Sequence, residues 1–178
     1  SLIQCDDNSV LHFCSGSIST PELLPSTQYM LDKAKQNNMM VCLDINYRPA
    51  FWDDTSNAPT RIDEAAKKAT IIKASREELA ALYGEDNAEI KVQQWLQSGA
   101  KLVLVTDGGE PIHYYTATFK GTLASPKADV KDTYFMHLLT LALECISRKF
   151  SSTLIFLYDR CIIYYAGINL LMCLVNLD

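Results

Sequence analysis

Four short apolar runs, separated by stretches patterned as helices, set the limits on what this chain can fold into. Val10–Cys14, Met39–Leu43, Ile71–Lys73 and Lys101–Thr106 have strand length and little polar interruption, as strands buried on both faces of a sheet do. After the first run, a helix begins near Thr20-Pro21-Glu22, or near Ser26 after Pro25, both usual N-cap patterns. It places Leu23, Thr27, Met30, Leu31 and Ala34 on one face. A second helix is predicted over Arg61–Ala69. Ser75 and Glu78 have the spacing of a capping box, which opens a helix to Tyr83 with Gly84 as its cap. A further helix spans Asn87–Ser98, closed by Gly99. Beyond the Asp107-Gly108-Gly109 turn, His113–Phe119 and Thr122–Ser125 alternate as a hairpin does. The order β-α-β-α-β-α-β-β-β predicts an α/β fold, a mostly parallel sheet flanked by helices on both faces.

At 178 residues, one domain is expected. With 48% apolar and 21% charged residues the chain reads as soluble and globular. A net charge of −5 argues against a nucleic-acid partner, which needs a basic face. The six cysteines include no CxxC pair, so they read as buried free thiols in a reducing, cytoplasmic compartment. Cys14 and Cys42 fall in predicted strands, and Cys145, Cys161 and Cys173 in stretches read as helical. His12, His113 and His137 lack metal-like spacing and read as structural. The first residues carry neither a basic n-region nor an initiator Met, so the chain is expected to be the middle of a longer polypeptide or to begin at an artificial boundary. Residues 134–149 look helical. Residues 150–178 hold only Asp159, Arg160 and Asp178 as charges. The apolar run Cys161–Leu177 falls short of the roughly 20 residues a membrane span needs. It reads as a buried or interface helix on the same domain, with no membrane partner.

The run Leu43-Asp44-Ile45-Asn46-Tyr47-Arg48-Pro49-Ala50-Phe51-Trp52 carries the chemistry. Asp44, Asn46 and Arg48 alternate, so a strand would display them together from its carboxyl end, where open α/β sheets bind ligands. Arg48 is a permanent cationic fork suited to phosphate or a sugar acid, or else a surface-loop arginine. Asn46 suits sugar hydroxyls, or else shapes a turn. Asp44 is assigned the role of fixing the loop by accepting backbone N–H groups.

LDINYRPAFWDD resembles the fructokinase signature of the PfkB, or ribokinase-like, carbohydrate kinase family. LHFCSGSIST, IIKASREELAALYG and KLVLVTDGGEPIHYYTATFKGTLASPKADVKDT resemble other segments of that family in the same order, over roughly residues 9–133. The resemblance implies a three-layer ribokinase-like fold, incomplete at its N-terminal side. Residues 1–149 would be the C-terminal, nucleotide-side part and residues 150–178 a helical tail. It implies ATP and Mg²⁺ as cofactors, and a sugar and a nucleotide as small-molecule partners. Asn46 and Arg48 would bind substrate. Lys73 would face either the phosphates or solvent. Thr106, Gly108 and Gly109 would approach the nucleotide. Glu78, at the Glu of an N-x-x-E motif with Ser75 in the Asn place, would hold Mg²⁺ through water.

The resemblance breaks after Asp132-Thr133, the remnant of the family's anion hole. The family continues with Thr-Gly-Ala-Gly-Asp, whose glycines cradle the phosphoryl group and whose Asp is the base. Here the chain reads Tyr134-Phe135-Met136-His137-Leu138, so no catalytic residue is assigned. The family's N-terminal part, with most sugar contacts, is also missing. The expectation is a sugar kinase by descent, impaired as written, that needs a missing segment or another copy of itself. The alternative is a non-catalytic nucleotide-binding or subunit-interaction module.

Overall fold

The computed structural model describes residues 10–124 and the backbone of a short strand at Cys161–Ile163. Among the described residues seven strands form one sheet: β1 Val10–Cys14, β2 Met40–Asp44, β3 Ile71–Ser75, β4 Leu102–Thr106, β5 Ile112–Tyr115, β6 Lys120–Leu123 and β7 Cys161–Ile163. Their order is β6-β5-β4-β3-β2-β1-β7. β1 through β4 and β7 are parallel, while β5 and β6 run antiparallel as a hairpin at one edge. The helices are α1 Leu24–Gln36, α2 Ala58–Ala66, α3 Arg76–Tyr83 and α4 Ala88–Gln97.

Local sequence explains where these helices start and stop. Pro25 sits in the first turn of α1, where its missing N–H costs nothing. The helix ends with Asn38 in the left-handed region (φ 53°), and the Met39 amide reaches back to the Ala34 carbonyl at 2.9 Å, a Schellman closure. The capping box of α3 is formed as expected. The Ser75 hydroxyl accepts from the Glu78 amide at 3.1 Å, and Glu78 accepts from the Ser75 amide at 2.8 Å. Three expectations shift. α1 begins at Leu24 with Leu23 as its N-cap and no side-chain cap, rather than at Thr20 or Ser26. α2 begins at Ala58 rather than at Arg61, because Pro59 serves as a first-turn residue instead of a breaker. Cys161, read as part of an apolar helix, lies in a strand that pairs with Val10 of β1. A run that is apolar all round does not by itself distinguish buried strand from buried helix. The helix expected over residues 134–149 lies outside the described residues.

Each step from β1 to β4 moves to the next neighbouring strand in the same direction. Right-handed crossovers then put every connecting helix on one face. The core shows this. Leu11, Phe13, Val41, Leu43, Ile72, Ala74, Val103 and Val105 alternate onto a face packed by Leu31 and Ala34 of α1, Ile62 and Ala66 of α2, Leu79 of α3, and Val92 and Trp95 of α4. The opposite face carries a second apolar cluster of Val10, Cys42, Ile71, Leu102, Leu104, Ile112 and Tyr114. Among the described residues no helix contributes to that second cluster. Farther along the same pleat, on the second face, come His12, Cys14, Asp44 and Lys73, all buried.

Asp63 ties three helices together. Its carboxylate accepts from the Tyr83 hydroxyl at 3.0 Å, the Trp95 indole N–H at 3.0 Å and the Lys91 ammonium at 2.8 Å. Lys91 also lies 4.3 Å from the Tyr83 ring centroid. Burial and the adjacent Asp63 charge push the Tyr83 phenol pKa up, so it stays a donor. Asp63→Ala strands these donors and is expected to cost about 2 kcal/mol, less than the summed bonds because the group is part-exposed. Chemical denaturation reads this out, and an unchanged midpoint would contradict the hub. At the hairpin, a Cβ on Gly121 would come within 2.7 Å of Tyr114 Cζ. Gly121→Val is therefore expected to displace the Tyr114 ring and lower Tm.

Candidate functional site

The carboxyl ends of β2, β3 and β4 lie side by side, and most of the candidate residues sit there. Register pairs Cys14 with Asp44, Asp44 with Lys73, and Ser75 with Thr106. In an open α/β sheet this edge is the ligand edge.

After β2 the chain turns at Asn46, whose φ of 34° is left-handed, a conformation Asn tolerates better than most residues. The Asn46 side chain lowers the Cys14 thiol pKa, against the larger effect of burial. The Asn46 backbone N–H favours the charged form of Asp44, against the larger effect of burial. The ion pair that Asp44 also makes, with Lys73 Nζ at 3.1 Å, was not legible in the sequence. Both side chains are only 4% exposed. Burial raises the Asp44 pKa, and the Lys73 ammonium opposes that shift. The shift is upward because taking a carboxylate out of water outweighs one neighbouring cation.

Lys73 therefore does not face solvent, one of its two expected placements. Arg48 is exposed, and its guanidinium donates to the Tyr47 carbonyl at 3.3 Å. Glu78 is buried at the first turn of α3, with Oε2 engaged by the Ser75 amide. Thr106 ends β4, and Gly108 takes φ 54° in a turn closed by the Glu110 amide on the Asp107 carbonyl at 2.9 Å. Glycine there permits a conformation that a side chain would strain. Arg76 Nε donates to Asp107 Oδ2 at 2.8 Å, holding the turn against the start of α3. Asp132 and Thr133, the anion-hole remnant, lie outside the described residues, as do Tyr134, His137 and Leu138.

Sequence reasoning missed two neighbours of this edge. By sequence alone His12 reads as structural and Cys14 as a plain buried thiol. They are two residues apart on β1, so they share a face, and register brings Cys14 beside Asp44. His12 Nδ1, His12 Nε2 and Cys14 Sγ belong to buried side chains beside the ion pair. Burial, then the Lys73 charge, lowers the His12 pKa to about 4. Burial, then Asp44, raises the Cys14 thiol to about 12. The alternation of His12 and Cys14 was a visible signal, but the register that joins them to Asp44 was not.

A model of the pfkB family carbohydrate kinases matches residues 2–134. A fructokinase of Rhizobium leguminosarum bv. trifolii is 35% identical over 133 residues, covering 72% of this chain and 39% of that protein. The crystal structure of a Xylella fastidiosa fructokinase with bound ATP superposes with a TM-score of 0.67 at 28% identity, covering 80% of this chain and 45% of that one. A Vibrio cholerae fructokinase in fructose, ADP and calcium ion bound form shares the fold, with a TM-score of 0.65 at 24% identity, over 75% of this chain and 43% of that one. The chain thus spans about two fifths of the length of these relatives. Among the described residues no helix is long and apolar enough to cross a membrane. The strand-edge geometry, the ribokinase-like fold and the family match together establish that this chain belongs to the pfkB family of carbohydrate kinases.

Proposed function

We propose that this chain is the nucleotide-side portion of a fructokinase-like sugar kinase, whose parent reaction moves the γ-phosphoryl of ATP to a sugar hydroxyl. We further propose that the transfer step is impaired in this sequence. The observation that supports the reading is that Asn46, Arg48, Glu78, Thr106 and Gly108 all lie at or just beyond the carboxyl ends of the adjacent parallel strands β2, β3 and β4. Phosphoryl transfer needs little covalent chemistry from the protein; it needs positioning and charge neutralisation.

Arg48, exposed beyond β2, supplies a fork for a phosphate or for sugar oxygens. Asn46 both donates and accepts toward hydroxyls. The Gly108 turn lets backbone approach the nucleotide closely. Lys73 is held inside the sheet by its pair with Asp44, which largely neutralises its charge, rather than reaching out to the phosphates. Glu78 offers a carboxylate of which the Ser75 amide engages Oε2; this suits holding water around Mg²⁺, which binds few protein carboxylates directly. When bound with ATP, that ion would neutralise developing charge on the phosphates.

The impairment rests on sequence. Residues 134–138 supply neither a carboxylate base nor a glycine nest. The remaining sugar contacts would come from a further segment or from a second copy of the chain. The buried thiols of Cys14 and Cys42 fit a cytoplasmic setting. The non-catalytic reading, a nucleotide-binding or subunit-interaction module, draws on the same missing loop.

Gly108→Val tests where the nucleotide sits. Displacement of a fluorescent ATP analogue should show binding weakened by about tenfold, roughly 1.4 kcal/mol. Equal binding by both proteins would remove the nucleotide from the β4 turn.

A further inference from the structure

We propose that His12, Cys14 and Asp44 form a binding site for one borderline-soft divalent transition ion of the Zn²⁺ class, set into the second face of the sheet. One ligand atom from each of the three lies within 4.8 Å of the others, and all three residues are buried. Among the described residues this is the only such group of three. A tetrahedral zinc site, with bonds near 2.0–2.3 Å, places neighbouring donors roughly 3.3–3.8 Å apart. Small side-chain rotations on two rigid paired strands would close the gap.

An independent observation points the same way. Among the described residues, both ring nitrogens of His12 are buried with no hydrogen-bond partner. A polar group left so is costly, and a metal on one nitrogen satisfies that atom. The donor set of imidazole, thiol and carboxylate suits zinc or cobalt rather than magnesium or calcium, which take oxygen ligands. Three protein ligands leave a fourth position for water. Binding forms a sulfur–metal bond and releases the Cys14 thiol proton to solvent, with no change of oxidation state. Lys73, 3.1 Å from Asp44, is the opposing charge and sets a limit on affinity.

The inference does not depend on the kinase reading, and its test uses no nucleotide. The reduced, chelator-treated 178-residue chain would be titrated with Co²⁺ alone. We expect a sulfur-to-cobalt charge-transfer band in the near ultraviolet, visible bands of tetrahedral intensity, saturation at one equivalent and displacement by Zn²⁺. Cys14→Ser should abolish the charge-transfer band, whereas Cys42→Ser, on the same sheet face but outside the group, should leave it unchanged. X-ray absorption of the zinc-loaded wild-type chain reads the ligands without any substitution and should show one sulfur with nitrogen or oxygen donors. Absence of the band, its survival in Cys14→Ser, or a zinc shell without sulfur would overturn the site.

Discussion

Lys73→Met is expected to destabilise the chain by about 3–5 kcal/mol, because it leaves the Asp44 carboxylate buried without its cation. Asp44→Asn should also destabilise, by removing the carboxylate that pairs with the buried ammonium. The geometry behind this is a 3.1 Å pair with both side chains 4% exposed, on adjacent parallel strands in direct register. The informative result is the double variant. Removing both charges together also removes the desolvation that raises the Asp44 pKa. The double variant should therefore be less destabilised than the sum of the singles, and its denaturant midpoint should recover toward wild type. Additive single effects would mean that the two groups do not act as a pair.

The second large effect is pH dependence from His12, measured in metal-free protein. Burial first, and the Lys73 charge second, bring its pKa from 6.5 down to about 4. The unfolded chain then binds one more proton than the native chain between those values. Stability therefore falls as pH drops from about 6.5 toward 4, and the loss levels off below. The shift corresponds to about 3 kcal/mol in total. His12→Gln should remove this component, so the difference between wild-type and variant unfolding free energies should change across that window. A difference that stays flat from pH 7 to pH 4 would show that the native imidazole protonates freely.

Much of the architecture was readable from periodicity and punctuation. The strand runs, the Ser75–Glu78 box and the Gly84 and Gly99 stops rest on local rules, and the structure shows each of them. α2 starts three residues earlier than expected because a proline both breaks and begins helices. Cys161 joined a strand because apolarity alone carries no period. The site was legible as a list of side chains at strand ends but not as an arrangement. Lys73 looked like an outward-reaching cation; only the register with Asp44 shows it turned into the sheet. His12 and Cys14 looked like ordinary strand residues, because their meaning depends on a neighbour 30 or more positions away. Pairing across strands is the information a single sequence holds least explicitly.

The most direct test of the central claim is calorimetric titration of the chain with MgATP, with and without fructose, while ADP release is followed in the same samples. The account predicts saturable nucleotide binding within the millimolar range and no sugar-dependent ADP. No saturation at millimolar MgATP would contradict a retained nucleotide side, and sugar-dependent ADP release would contradict the impaired transfer step.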